Sequence, residues 1–194
     1  MLATKVKYTF ADLLTVSPED ENIYDILGGD LVVWTSPADP HAAVVGELYD
    51  LLMDAQRAGH GWARTAPRAV AFDFLEHGVN SMDVTHPDVL FVSKARRAIM
   101  GHQCVEAAPD LVIEVLSPST RADDLPGGRK FTIYERYGVA HYWVVDTDAR
   151  TITQYAWHDN RFHRAAILTE EDILTSPLFP SITRPINEIF SAIL

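Results

Sequence analysis

The sequence predicts an α/β (α+β) chain: a mixed central β-sheet flanked by helices, with an N-terminal β-hairpin extension. Three observations carry that expectation. Apolar runs of strand length recur between turn residues, at MDVTHPDVLFV (82–92), PDLVIEVL (109–116) and HYWVVD (141–146). From His41 to Ala58 the apolar residues repeat at helical spacing. Near the N-terminus two strand-like pieces flank Gly28-Gly29, a hairpin turn signal.

Taken in order, Thr9 can cap a short helix over 9–15, with Asp12 as the reciprocal member of a capping box. Tyr24 to Trp34 forms the hairpin, and SPADPH is a loop leading into the long helix, which Gly59 and Gly61 end. Strands are expected at 62–65, 68–74, 81–92 and 110–116. Residues 117–129 read as a polar loop, and 129–137 as a helix stopped by Gly138. Strands at 141–146, 151–157 and 161–168 and a helix over 186–194 complete the chain. There is no internal repeat or linker, so 194 residues are expected to form one domain spanning 1–194.

Composition narrows the function classes. A hydrophobic fraction of 47% and a charged fraction of 22% are ordinary for a globular chain. The net charge of −11 argues against coating nucleic acid by bulk charge, but leaves room for an acidic catalytic cluster offset by cations. No run approaches the roughly 18 apolar residues of a membrane span, and no signal peptide is visible. Cys104 is the single cysteine, which excludes an intrachain disulfide and makes a cytoplasmic setting the default. Zinc-ligand spacing, a Gly-x-Ser-x-Gly elbow and phosphate-cradling glycine patterns are absent.

The chemistry-bearing residues sit inside apolar runs. Glu114 interrupts a buried-strand pattern, where a carboxylate must be paired, hydrogen-bonded or metal-bound. Asp88 follows Pro87 within another such run. On adjacent strands these two acids offer the hard oxygen ligands that Mg²⁺ or Mn²⁺ prefers. Lys130 and Tyr134 are four apart, on one face of a helix that could cross the sheet toward them. His41 begins the long helix on its apolar side, and Glu47 lies at the edge of that face. Lys94, Arg96, Arg97, Arg121 and Arg129 flank the region as candidate phosphate contacts. Plainer readings exist: Asp88 closing a turn, Glu114 as a buried ion-pair partner, Lys130 solvated, Tyr134 and Tyr137 as core-edge aromatics, Glu47 and Asp50 facing water, Cys104 inert.

The landmarks YDILGGDLVV, SPADPHAAVVGELYDLL, HPDVLFVS, APDLVIEVLSPSTRADD and RKFTIYERYGVAHYWVVD occur in one order over about 9–190. In these the chain resembles the Uma-type (Uma-two) family of restriction endonuclease-like proteins, within the PD-(D/E)XK nuclease superfamily. The resemblance implies a restriction-endonuclease-like fold, metal-binding acids at Asp88 and Glu114, and often a homodimer. It also implies that the superfamily's strand lysine, whose position is Leu116 here, has moved to Lys130, with His41 and Glu47 as the helix histidine and acid. Departures are His141 in place of an acid, Gly29-Asp30-Leu31 in place of Gly-Glu-Leu, and a loop before Lys130 about two residues longer than usual. The expected function is metal-dependent endonucleolytic hydrolysis of DNA by Asp88, Glu114 and Lys130, with His41, Glu47 and Tyr134 in support and Arg121, Arg129 and Lys94 on substrate. The rivals are a non-catalytic interaction module of the same fold and a phosphodiesterase acting on RNA or a small nucleotide.

Overall fold

The computed structural model describes residues 6–17, 19–20, 22–34 and 39–193. In chain order the elements are α1 (Phe10–Leu13), β1 (Ile23–Leu27), β2 (Asp30–Trp34), α2 (Asp39–Arg57), β3 (Gly61–Thr65), β4 (Val70–Ala71), α3 (Phe74–His77), β5 (Val84–Thr85), β6 (Val89–Ser93) and β7 (Leu111–Val115). There follow α4 (Arg121–Asp124), α5 (Arg129–Arg136), β8 (His141–Asp146), β9 (Thr151–His158), β10 (Arg161–Leu168), β11 (Ile173–Leu174), β12 (Arg184–Pro185) and α6 (Ile186–Ser191).

A six-stranded sheet runs β10-β9-β8-β7-β6-β3, and only its β7–β8 pair is parallel. The central sheet is therefore mixed, and helices flank it. Alternation along β7 divides its side chains between two cores. Leu111, Ile113 and Val115 face a core shared with Val44, Leu48, Leu51 and Leu52 of α2 and Ile189 and Phe190 of α6. Val112 and Leu116 face a second core with Phe131, Ile133 and Tyr134 of α5. Glu114, in step with Val112, points to the α5 side.

The N-terminal hairpin belongs to a separate four-stranded sheet, β2-β1-β5-β4. Its turn needs two left-handed residues, met by Gly28 (φ 62°) and Gly29 (φ 80°). Asp83 ties this turn to α5: its carboxylate accepts from Gly28 N at 2.7 Å and from the Tyr137 hydroxyl at 2.8 Å.

Several elements differ from expectation. The strand expected over 81–92 is two strands in different sheets. Pro87 has no N–H to donate to a ladder, and the His86 N–H is taken by Asp25 Oδ1 at 2.8 Å, so pairing stops there. The strand expected over 68–74 shrinks to Val70–Ala71, and Phe74 opens α3. The loop over 117–129 contains α4, and the final helix ends at Ser191. The capping box forms as read, with Thr9 N donating to Asp12 Oδ2 at 2.7 Å, although the helix spans only Phe10–Leu13. Residues 36–38 of the SPADPH loop and Leu194 of the last helix lie outside the described residues.

Candidate active site

The β6–β7 register pairs Val89 with Ile113, so Asp88, just before β6, falls opposite Glu114. The Asp88 N–H lies 3.5 Å from Glu114 Oε2. Asp88 Oδ2 accepts from Val115 N at 2.8 Å and meets His41 Nε2 at 3.1 Å. Facing a carboxylate oxygen, that ring nitrogen is the protonated one. Among the described residues the buried His41 Nδ1 has no hydrogen-bond partner.

Glu114 is almost fully buried. Its Oε1 receives Lys130 Nζ at 3.2 Å and the Tyr134 hydroxyl at 2.5 Å. The four-residue spacing of Lys130 and Tyr134 thus brings both onto one oxygen, as helix geometry requires. Among the described residues Oε2 has only the long Asp88 contact.

Lys130 is buried among carboxylates: Glu114 at 3.2 Å, Asp25 Oδ2 at 3.5 Å and Asp124 Oδ1 at 3.8 Å. Burial opposes its charge, but Glu114, Asp25, Asp124 and Asp88 outweigh burial and hold the ammonium well above the usual lysine value. Burial pushes the Glu114 carboxyl well above the carboxylate range. Asp124 and Asp88 add to the rise, and Lys130 and the Tyr134 hydroxyl offset only part of it. Burial likewise raises Asp124 to about 6, against Lys130 and a Thr120 hydroxyl. Neither Asp124 carboxylate oxygen makes a hydrogen bond of ordinary geometry. Asp25 goes the other way. Burial would raise it, yet Lys130, His86 and the Trp34 indole, whose Nε1 lies 2.6 Å away, bring it down to about 2.

An open cleft of about 660 Å³ is lined by His41, Leu116–Pro118, Arg121 and Asp146–Ala149; Asp88 and Glu114 are not in its lining, and the cleft meets the acids through His41, the partner of Asp88. Arg121 reaches across it to Asp146 Oδ2 at 2.8 Å. Asp88 is the more accessible acid, with 21% of its side chain exposed. Lys130, at 3%, is not in the cleft wall and acts on Glu114.

The fold therefore brings together Asp88, Glu114, Lys130, His41 and Tyr134, with Arg121 at the cleft. It does not bring the other five candidates there: Arg96 pairs with Asp110 at 3.6 Å and Arg97 lies over Trp62. Glu47 pairs with Arg184 at 3.1 Å, more than a helical turn beyond His41. Arg129 is held by Asp123 through two bonds of 2.6 and 2.8 Å, beside a different hollow. Lys94 follows β6, at the opposite end of that strand from Asp88.

Asp25 and Asp124 join the site without having been expected from sequence. Asp25 carried a signal of the Glu114 kind, an acid between Tyr24 and Ile26 in an apolar strand. Asp124 carried none, since it sits beside Asp123 in a polar stretch.

The donor set suits a hard divalent cation. Asp88 and Glu114 present neighbouring carboxylates, and four buried or half-buried acids surround a single lysine, leaving negative charge that a cation would neutralise. A second grouping among the described residues, His158, Asp159 and His163 at the end of the β9–β10 hairpin, has His158 and Asp159 exposed and His163 half-buried. Its two imidazoles stack in parallel to within 6° at 3.6 Å, so as they stand their lone pairs do not converge on one ion.

The architecture is similar to that of a crystal structure from Anabaena variabilis, described as a "putative nuclease belonging to DUF820". The TM-score is 0.71 with 20% sequence identity, over 96% of this chain and 99% of that chain, a likeness of fold. No curated protein matches the chain. The Uma2 family model, described as "Putative restriction endonuclease", matches residues 9–187, and the chain belongs to that family.

Proposed function

We propose that this protein is a divalent-metal-dependent nuclease that hydrolyses phosphodiester bonds in DNA. One observation carries the reading: Asp88 and Glu114 face each other, each held in place by a second residue, and His41, which holds Asp88, lines an open cleft. Asp88 and Glu114 would hold Mg²⁺ or Mn²⁺, which supplies an acidified water and neutralises charge on the phosphate.

The chain's own residues have separable tasks. His41 and the Val115 N–H fix the Asp88 carboxylate. Tyr134 and Lys130 both hold Oε1 of Glu114, which leaves Oε2 directed toward Asp88. Because Lys130 is held protonated, it serves as a fixed positive charge rather than as a base. Arg121, on the cleft wall, can exchange Asp146 for a substrate phosphate, which its fork binds in the same way. A homodimer would supply two such sites, one for each strand of a duplex.

The test is cleavage of supercoiled plasmid, linear duplex and single-stranded DNA with Mg²⁺ or Mn²⁺, wild type beside Glu114→Gln, with RNA as competitor. Metal-dependent cutting that vanishes in the variant supports the reading. Equal cutting by both proteins removes Glu114 from the chemistry, and preferential loss of RNA reassigns the substrate.

A further inference from the structure

A further hollow lies on the flank of the sheet away from β8, where β3 meets the 3₁₀ turn Lys94–Ile99. It has a volume of about 300 Å³ and is lined by Trp62, Arg64, Arg68, Arg97, Met100, Gly101 and His102. Three of the chain's twelve arginines converge there, in a protein of net charge −11. No acid is in the lining, although the Glu106 side chain packs against Gly101, one of the lining residues.

These arginines differ from most others in the chain. Among the described residues Arg57, Arg96, Arg121, Arg129, Arg136, Arg150 and Arg184 form ion pairs with carboxylates, while Arg64, Arg68 and Arg97 form none. Arg68 builds the wall. Its guanidinium donates to the carbonyls of Gly101, His102 (3.0 Å) and Cys104 (2.9 Å), which pins the loop, and its Nε is buried without a partner. Arg97 rests on the Trp62 ring at 5.3 Å and gives one hydrogen bond, to Met100 O at 3.1 Å. Stacking on an indole orients a guanidinium without using its in-plane donors. Arg64 gives one bond, to Ala63 O at 2.6 Å. Arg64 and Trp62 alternate on the same face of β3, so both project into the hollow.

We propose that this arginine hollow is a phosphate-binding subsite for a nucleic-acid strand, separate from the cleft at Asp88 and Glu114. Arg64 and Arg97 grip the phosphodiester oxygens, and Arg68 holds the wall and contributes charge. Bidentate phosphate recognition is the chemistry for which unpaired, pre-oriented guanidinium groups are suited. The choice of nucleic acid as the bearer of the phosphate rests on the nuclease reading; the anion site itself rests on the arginines.

The test is binding of a short fluorescein-labelled single-stranded DNA, by anisotropy in EDTA across a salt series, to the full chain. Wild type is compared with Arg64→Ala/Arg97→Ala and with Arg64→Lys/Arg97→Lys. The alanine pair should bind about tenfold more weakly, and its log–log salt slope should fall by about 1.4, about 0.7 for each arginine–phosphate pairing removed on a single strand. The lysine pair should keep the slope. Absence of binding by wild type, equal affinity and slope in the alanine pair, or equal loss of slope in both pairs would each overturn the proposal. The nuclease reading fails separately: a wild type that binds through these arginines but cuts nothing with Mn²⁺ leaves the subsite intact and sinks the catalytic assignment.

Discussion

Glu114 has its carboxyl raised by burial, so a cation bound there would compete with its proton. Binding of Mn²⁺ should therefore strengthen as pH rises and should release protons, measurable by calorimetry in buffers of different ionisation enthalpy. The Glu114→Gln variant should show neither effect. At metal concentrations of a hundred times Kd, wild type should gain about 2.7 kcal/mol of stability and the variant almost none. Asp124 provides a second pH handle. Its folded pKa of about 6 lies above the ordinary aspartate value of 3.8. Its contribution to stability is therefore fully present below the unfolded value and is lost as pH rises through about 6. In metal-free protein, Asp124→Asn should remove that loss, gaining on the order of 1–3 kcal/mol relative to wild type at pH 8 and little at pH 4, read by urea denaturation.

Two elements carry Lys130 to its place. The first is the N-terminal sheet. Expected as an extension of the nuclease fold, it lies against α5 and supplies Asp25, whose carboxylate contacts Lys130. Asp25 sits well below the carboxylate range, so its stabilisation is present above the unfolded pKa and is lost as pH falls toward 2. Asp25→Asn should cost about 2 kcal/mol at pH 7 and converge with wild type near pH 2, seen in paired denaturation curves. The second element is the α4–α5 turn. Gly128 caps α5, and a Cβ added there would collide with the Ala122 and Asp123 carbonyls. Backbone cannot yield as a side-chain tip can. Gly128→Ala should therefore shift α5 and cost about 1–3 kcal/mol, with a matching loss of cleavage because Lys130 moves with the helix. An unaltered melting temperature in that variant would contradict this account.

At the scale of the whole molecule, a chain of net charge −11 that cuts nucleic acid as proposed has to bring a polyanion to an acidic cleft. Its basic groups are local: Arg121 at the cleft and the arginine hollow on the β3 flank. Affinity for DNA should therefore fall steeply with salt and rise when divalent cations occupy the acids. The products report on assembly. A monomer with one site nicks supercoiled plasmid before linearising it, whereas a homodimer with paired sites gives linear product directly; a time course on an agarose gel, with sedimentation of the same sample, separates the two. Among the described residues no helix is long and apolar enough to cross a membrane.

Apolar runs, helical periodicity and the Gly28-Gly29 turn were enough to specify the mixed sheet, α2, α5 and the hairpin, because each signal is a local property of backbone geometry. Glu114 was legible for a related reason: a carboxylate inside an apolar strand has to be partnered wherever that strand goes. The relation between the two sheets was not local. Whether 81–92 was one strand or two depended on Asp25, sixty-one residues before His86, taking its N–H. The same long-range packing decided that Asp25 and Asp124 surround Lys130, and that Glu47, Arg129 and Lys94 lie elsewhere. Sequence determined which residues could carry charge into the core; only tertiary packing, by bringing distant segments within a few ångströms, decided which charges met.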